Sequence, residues 1–218
     1  MYKRQILENA GARQSETIHF GLNDMENVGF SWILLGWKVK ILKRPIYNEE
    51  LTINTWGRES NRIFTYRDYE IYDESGELCT IATSKWAIVD INTGKLRELT
   101  PEIIEKYQCE TKKVFKEDYT LKLKEPTTII RKQEYKAQRR DIDINKHIHN
   151  LYYLDYAYEV LPEEVYEAPE CNNIEIMYKK QIRLNDEFKC LYTKEKNQNI
   201  VTMKSEDENT LHAIIKLY

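Results

Sequence analysis

Arg139-Arg140-Asp141-Ile142-Asp143-Ile144-Asn145-Lys146-His147-Ile148-His149-Asn150 crowds carboxylates, amides and imidazoles into one short run. Directly after it Leu151, Leu154, Ala157, Tyr158 and Leu161 recur at helical spacing, with Tyr152 and Tyr153 opening the segment. The run therefore reads as the approach to a helix N-terminus, a place with unpaired N–H groups and a partial positive charge. Asp143, Asn145 and His147 alternate, and on an extended approach alternation turns all three to one side. A carbonyl or oxyanion held at such a terminus would face them, so chemistry is expected here.

Downstream of that helix, Ile174-Glu175-Ile176-Met177-Tyr178 alternates like a half-buried strand. Lys179 to Asn185 then makes a polar turn, and Asp186-Glu187-Phe188-Lys189-Cys190 enters a new strand. The first half carries the same passage: Trp37-Lys38-Val39-Lys40-Ile41 alternates, and Lys43 to Asn48 leads into Leu51-Thr52-Ile53. Asn48-Glu49-Glu50-Leu51 lies over Asn185-Asp186-Glu187-Phe188 at a spacing of 137 residues. The hairpin turn of Asp73-Glu74-Ser75-Gly76 before the apolar strand through Trp86 to Val89 is echoed by Glu206-Asp207-Glu208-Asn209 before His212 to Tyr218. Each half reads as one helix followed by antiparallel strands, a duplicated domain and not a short-period repeat. The boundaries expected are 1–98 for the first domain, 99–126 for a connecting helix and linker, and 127–218 for the second. Thr100-Pro101 caps the connecting helix. The first helix is expected over about 3–18, with Ile6, Leu7, Ala10 and Ile18 facing inward. The second helix follows strand material at Thr127 to Ile130 and Tyr135, whereas the first has no room for a preceding strand, so the first domain is expected to lack its first strand.

The whole chain of 218 residues has ample material for a buried core, and 41% hydrophobic with 32% charged residues is an ordinary soluble profile. A net charge of −3 argues against a chain-wide nucleic-acid binder, although Arg131-Lys132, Lys136 and Arg139-Arg140 form a local basic cluster. Cys79, Cys109, Cys171 and Cys190 form no C-x-x-C pair, so a zinc site is not expected and reduced thiols in a cytoplasm are. No apolar stretch is long enough for a signal peptide or a membrane span.

These motifs, in this order, resemble the acyl-acyl carrier protein thioesterases. That family is α+β, a double hotdog: two fused domains, each a long helix wrapped by a curved antiparallel sheet. The resemblance covers nearly the whole chain. It is carried by Arg140, Asp141, Asp143, Asn145, His147 and Asn150, and is supported by Trp32, by Thr52-Ile53-Asn54-Thr55-Trp56, and by Ser84-Lys85-Trp86-Ala87-Ile88 before the turn at Asn92-Thr93-Gly94. It implies a thioester hydrolase that needs no metal and no organic cofactor, with Asp143, Asn145 and His147 at the site. A carboxylate expected on the strand after the second helix falls at Gln181, in Tyr178-Lys179-Lys180-Gln181. The cysteine that often follows it in plant members is Ile182 here. A glutamine cannot take a proton from water but can orient one.

Less chemical readings stand beside these. Asp143 and Asn145 are good N-caps, His147 could be a capping histidine, Asp141 is read as a structural partner of Arg139 or Arg140, and His149 as a local variation. The resemblance implies acyl carrier protein, with its phosphopantetheine-linked acyl chain, as partner. Two basic groups are candidates to meet it: Arg131, Lys132, Lys136, Arg139 and Arg140, then Lys179, Lys180 and Arg183. It also implies an apolar acyl pocket in the first domain, with Ile6, Ala10, Trp32 and Leu34 as candidate lining. A monomer and a homodimer are both compatible with fused halves. The alternatives are an acyl-CoA thioesterase, for which no Gly-rich phosphate loop is seen, a hydroxyacyl-carrier dehydratase on the same fold, and a non-catalytic acyl-binding protein.

Overall fold

The computed structural model describes residues 2–58, 61–117, 122–167 and 171–218, with side chains from Ile6 onward. The chain divides into two compact units, 1–120 and 121–218, and this boundary falls inside the connection expected over 99–126.

Unit 1 opens with helix α1 (Tyr2–Thr17), followed after a single 3-10 turn by the short α2 (Met25–Val28), which stops at Gly29 with φ +73°. Four long strands follow, β1 (Phe30–Ile41), β2 (Thr52–Gly57), β3 (Thr65–Tyr72) and β4 (Leu78–Asp90), then the two-residue β5 (Leu96–Arg97) and helix α3 (Pro101–Lys106). The strand order is β2-β3-β4-β1, with β5 on β4, and each of these pairs is antiparallel. Thr100 caps α3 as its sequence suggests, Oγ1 accepting the Ile103 N–H at 3.4 Å. Ile103 and Tyr107 then pack with Phe20, Phe30, Ile88 and Leu99, so the helix belongs to the core of this unit.

The inward stripe of α1 differs from the one expected. Leu7 and Gly11 are buried, Ile6 and Ala10 are half-buried, and Ile18 lies past the helix end. Counting on from Leu7 by four and then by three or four brings Gly11, Gln14 and Ser15 to one face. That face turns polar toward its C-terminal end.

Unit 2 contains β6 (Arg131–Lys136), a 3-10 turn at Arg139–Asp141, α4 (Asn150–Glu159), α5 (Glu163–Tyr166), β7 (Asn173–Tyr178), β8 (Glu187–Glu195), β9 (Gln198–Ser205) and β10 (Leu211–Leu217). Its strand order is β7-β10-β9-β8-β6, again antiparallel throughout. Tyr153, Leu154 and Ala157 are the buried face of α4. Tyr135, Tyr156 and Phe188 form an aromatic cluster, with ring centroids 4.9 to 5.7 Å apart, that ties β6 and β8 to the helix.

The repeat read from sequence is repeated in atomic detail. Asn48 and Asn185 both take φ 68°, a left-handed conformation that asparagine tolerates. One residue on, Glu49 accepts the Ile46 N–H at 2.9 Å and Asp186 accepts the Arg183 N–H at 2.8 Å. The hairpin turns match in kind as well: Asp73 Oδ1 gathers the Ser75 and Glu77 N–H groups, and Asp207 Oδ1 accepts from Asn209 N–H and the Ser205 hydroxyl. The units differ at one edge. β6 precedes its helix and pairs with β8, while among the described residues no strand precedes α1 and β2 is left as an edge. No helix among the described residues is long and apolar enough to cross a membrane.

Candidate active site

The polar run does not reach α4 in extended form. Ile142 pairs with Ile148 across a tight loop, in which the Asp143 N–H donates to the His147 carbonyl at 2.9 Å and the Lys146 N–H to the Asp143 carbonyl at 3.0 Å. Lys146 takes φ 64° to make the reversal. The Asp143 carboxylate closes the loop from inside, Oδ1 accepting the N–H of Asn145 at 2.8 Å and of His147 at 3.4 Å. Capture of the N–H two residues on is what a short carboxylate side chain does best in a turn. That local bond defeats the simple alternation read from sequence.

The helix terminus is also differently used than expected. His149 is the N-cap of α4: its Nδ1 accepts the Leu151 N–H at 3.3 Å and its carbonyl accepts the Tyr152 N–H at 2.9 Å. Two of the four first-turn donors are thereby satisfied within the chain, which narrows what the terminus can offer an oxyanion. A further open donor is the Asn145 side-chain amide, exposed and making no hydrogen bond to any described residue. Asp141 is structural, though not chiefly through the arginines. It is 3% exposed, accepts the Tyr156 hydroxyl at 2.6 Å and the Gln138 N–H at 2.8 Å, and meets Arg140 Nε only at 3.6 Å.

Gln181 lies in the loop after β7, not on the strand itself. Its Nε2 stands 3.2 Å from His147 Nε2, which brings together residues 34 apart in sequence. The two segments are joined by backbone as well: His147 bridges Arg183, and the Ile148 N–H donates to the Ile182 carbonyl at 2.8 Å. The His147 ring is half-buried, and this burial holds its pKa below the ordinary 6.5. Asp143 pulls it back up and Arg183 pushes it further down. At neutral pH the ring is uncharged and carries a lone pair for a proton.

Two residues that sequence reasoning missed fix Gln181. On one side of it, the buried His212 donates from Nδ1 to the Lys180 carbonyl at 2.9 Å; on the other, the Ile182 N–H donates to the buried Tyr153 hydroxyl at 3.2 Å. Burial holds the His212 pKa below its usual value and pushes that of Tyr153 up to about 12. Tyr153 looked like one more apolar helix residue, and His212 like one more strand residue. The only signal was that each places a hydrogen-bonding tip in an otherwise apolar stripe.

Of the basic candidates, Arg131 is committed to the Leu161 carbonyl, Lys132 to Glu208 and Lys136 to Glu187. Lys179, Lys180 and Arg183 are exposed and have no ion-pair partner among the described residues. Among the described residues no three His, Cys, Asp or Glu side chains are placed to hold a metal.

Comparison with known proteins gives this geometry a context. Residues 4–107 match the model of the acyl-ACP thioesterase N-terminal domain and residues 124–216 that of the C-terminal domain. Curated relatives include oleoyl-acyl carrier protein thioesterase 2, chloroplastic, of Arabidopsis thaliana. It is 27% identical over 206 residues, which cover 83% of this chain and 56% of that one. A palmitoyl-acyl carrier protein thioesterase of Cuphea hookeriana is 26% identical over 156 residues, 69% of this chain and 38% of the other. The chain thus spans about half the length, or less, of these relatives. Two solved structures share the hotdog architecture: an acyl-ACP thioesterase from Bacteroides thetaiotaomicron (TM-score 0.85, 22% identity) and the 12:0-ACP thioesterase from Umbellularia californica (TM-score 0.85, 16% identity). Each alignment covers 98% of this chain and 86% of the other. Both halves of one family's domain pair are therefore present in order and nearly end to end, and the chain belongs to the acyl-ACP thioesterase family.

Proposed function

We propose that this protein hydrolyses the thioester of a fatty acyl chain carried on acyl carrier protein, releasing the free fatty acid and the carrier thiol. The observation that carries the reading is the neutral, half-buried imidazole of His147 with the Gln181 amide 3.2 Å from its Nε2. In the resting site the amide N–H satisfies Nε2. When a water enters, the exposed amide turns, its carbonyl oxygen holds one water proton, and Nε2 takes the other as the water oxygen attacks the thioester carbon. The carbonyl oxygen becomes an oxyanion, for which the Asn145 amide is the donor available in the loop. Collapse breaks the C–S bond, and the imidazolium returns its proton to the departing thiolate. Asp143 serves by holding the loop that carries His147.

The carrier is a small acidic protein, and Lys179, Lys180 and Arg183, exposed beside Gln181 and without an ion-pair partner among the described residues, are the charges that would meet it. The four free cysteines agree with a reducing cytoplasm. One further reading is favoured by a specific observation: Gln181, an amide where a carboxylate was expected, suits an acyl-binding protein without turnover.

The test is thiol release from acyl-carrier-protein thioesters of graded chain length, with matched acyl-CoAs alongside. Faster release from the carrier substrates is the expected result and also gives the chain-length optimum. Preference for CoA would shift the reading to an acyl-CoA thioesterase. Tight acyl binding without release from either would make it a binding protein.

A further inference from the structure

Unit 1 buries a cation that the chemistry above does not use. Arg67, on β3, is 7% exposed, yet its guanidinium meets no carboxylate within 4 Å among the described residues. Its only hydrogen bond among the described residues runs from Nη1 to Thr55 Oγ1 at 3.3 Å, and its Cζ lies 5.6 Å from the Tyr107 ring centre. Asp68, next in sequence, points to the opposite face of the strand, where it takes the Val114 N–H and faces Arg58. It therefore cannot neutralise Arg67.

Further polar groups surround this cation. Among the described residues the Gln14 side-chain oxygen has no hydrogen-bonding partner, and the fully buried Tyr69 hydroxyl has Ser84 near it but no hydrogen bond of ordinary geometry. α1 is brought down onto them by Gly11, where a Cβ would come within 3.0 Å of the Tyr69 oxygen and 3.2 Å of Arg67 Cδ. A buried guanidinium left with most of its donors idle is strongly unfavourable, and buried polar groups in folded proteins find partners. Around the polar patch the walls are aromatic: Tyr107 packs on Trp32 at 5.5 Å and on Phe20 at 6.2 Å.

We propose that the underside of α1 is a binding site for the carboxylate of an apolar acid, with Arg67 as its anchor and Tyr69 and Gln14 beside it. A planar carboxylate matches the guanidinium fork, and the aromatic walls suit an apolar body. Glu8 also lies close, its Oε1 buried and its charge acting on Tyr69, so among the described residues the patch sets one cation against one carboxylate; a phosphate dianion, with twice the charge of a carboxylate, fits it less well. The carboxylate has two possible sources: a free fatty acid, or the far end of an acyl chain that carries a second carboxyl. This inference stands on unit 1 and does not rest on the hydrolytic reading.

The test is a calorimetric titration of the full chain with octanoate, octan-1-ol and the S-ethyl monothioester of suberic acid, repeated on Arg67→Met. Wild type is expected to bind a carboxylate probe at least tenfold more tightly than the alcohol. Arg67→Met is expected to lose that advantage while melting no lower than wild type, because an apolar side chain of similar length replaces a buried guanidinium that makes few hydrogen bonds. Binding of octanoate alone identifies the free acid as the source, and equal or tighter binding of the monothioester identifies the far-end carboxyl. Equal affinity of wild type for octanoate and octan-1-ol would overturn the proposal, a result readable even if the variant fails to fold. So would octanoate affinity that is unchanged in Arg67→Met, which would place the acid elsewhere, at His147 for example.

Discussion

His147 carries the sharpest expectation. Its replacement by alanine should lower kcat by about 10²- to 10⁴-fold, the range for loss of a general base, measured on whichever carrier thioester turns over fastest. Because burial lowers its pKa, the acid limb of kcat/KM should fall below pH 6.5, the ordinary imidazole value. Gln181→Glu sets a carboxylate beside Nε2 and favours the charged ring, so the same limb should move to higher pH. An unmoved limb would disconnect Gln181 from the base. His212 makes a separate prediction about stability. Its folded pKa is depressed, so below about pH 6.5 the unfolded chain takes up a proton that the native one refuses. Stability should fall as pH is lowered through that value, and urea titrations at pH 7.5 and 5.5 should show a smaller drop for His212→Gln than for wild type. The polar cluster around His147 was legible in sequence because no core needs that mixture of groups. Its loop was not, because alternation says nothing about a carboxylate that folds back on its own backbone.

At the scale of an element, the segment 179–183 is held between a strand residue and a helix residue. Tyr153→Phe strands the buried Ile182 N–H and should destabilise by about 1–3 kcal/mol. It should also reduce kcat more than KM, since Gln181 would lose its fixed position; a loss confined to stability would make Tyr153 purely structural. The twin turns offer a paired measurement. Asn48→Ala and Asn185→Ala each replace a residue that tolerates φ 68° by one that does not, at up to about 1 kcal/mol, while glycine at either position should be neutral or better. Chemical denaturation of the four variants checks this, and unequal costs would mean that the two turns share a sequence pattern but not a mechanical role. These turns were readable in advance because Asn followed by an acid before a new strand is local chemistry. The polar half of the α1 face was not, since Gly11, Gln14 and Ser15 resemble a solvated helix surface until the sheet beneath them is known.

Across the whole molecule, the duplication read from a spacing of 137 residues reappears as two units with matching strand orders, because strand pairing within each unit is written in neighbouring hairpins. The strands that close each sheet have a different consequence, one of time. β2, β3 and β4 meet through short turns, as do β8, β9 and β10, and such contacts form early. β1 must wait for β4, with Phe30 opposite Asp90, and β7 for β10, with Ile174 opposite Leu217. Unit 2 has a second late closure, β6 onto β8, for which the described residues of unit 1 have no counterpart. Unit 1 should therefore gain hydrogen-exchange protection first during refolding, and the segment carrying His147, anchored between β6 and β7, should be among the last to become native.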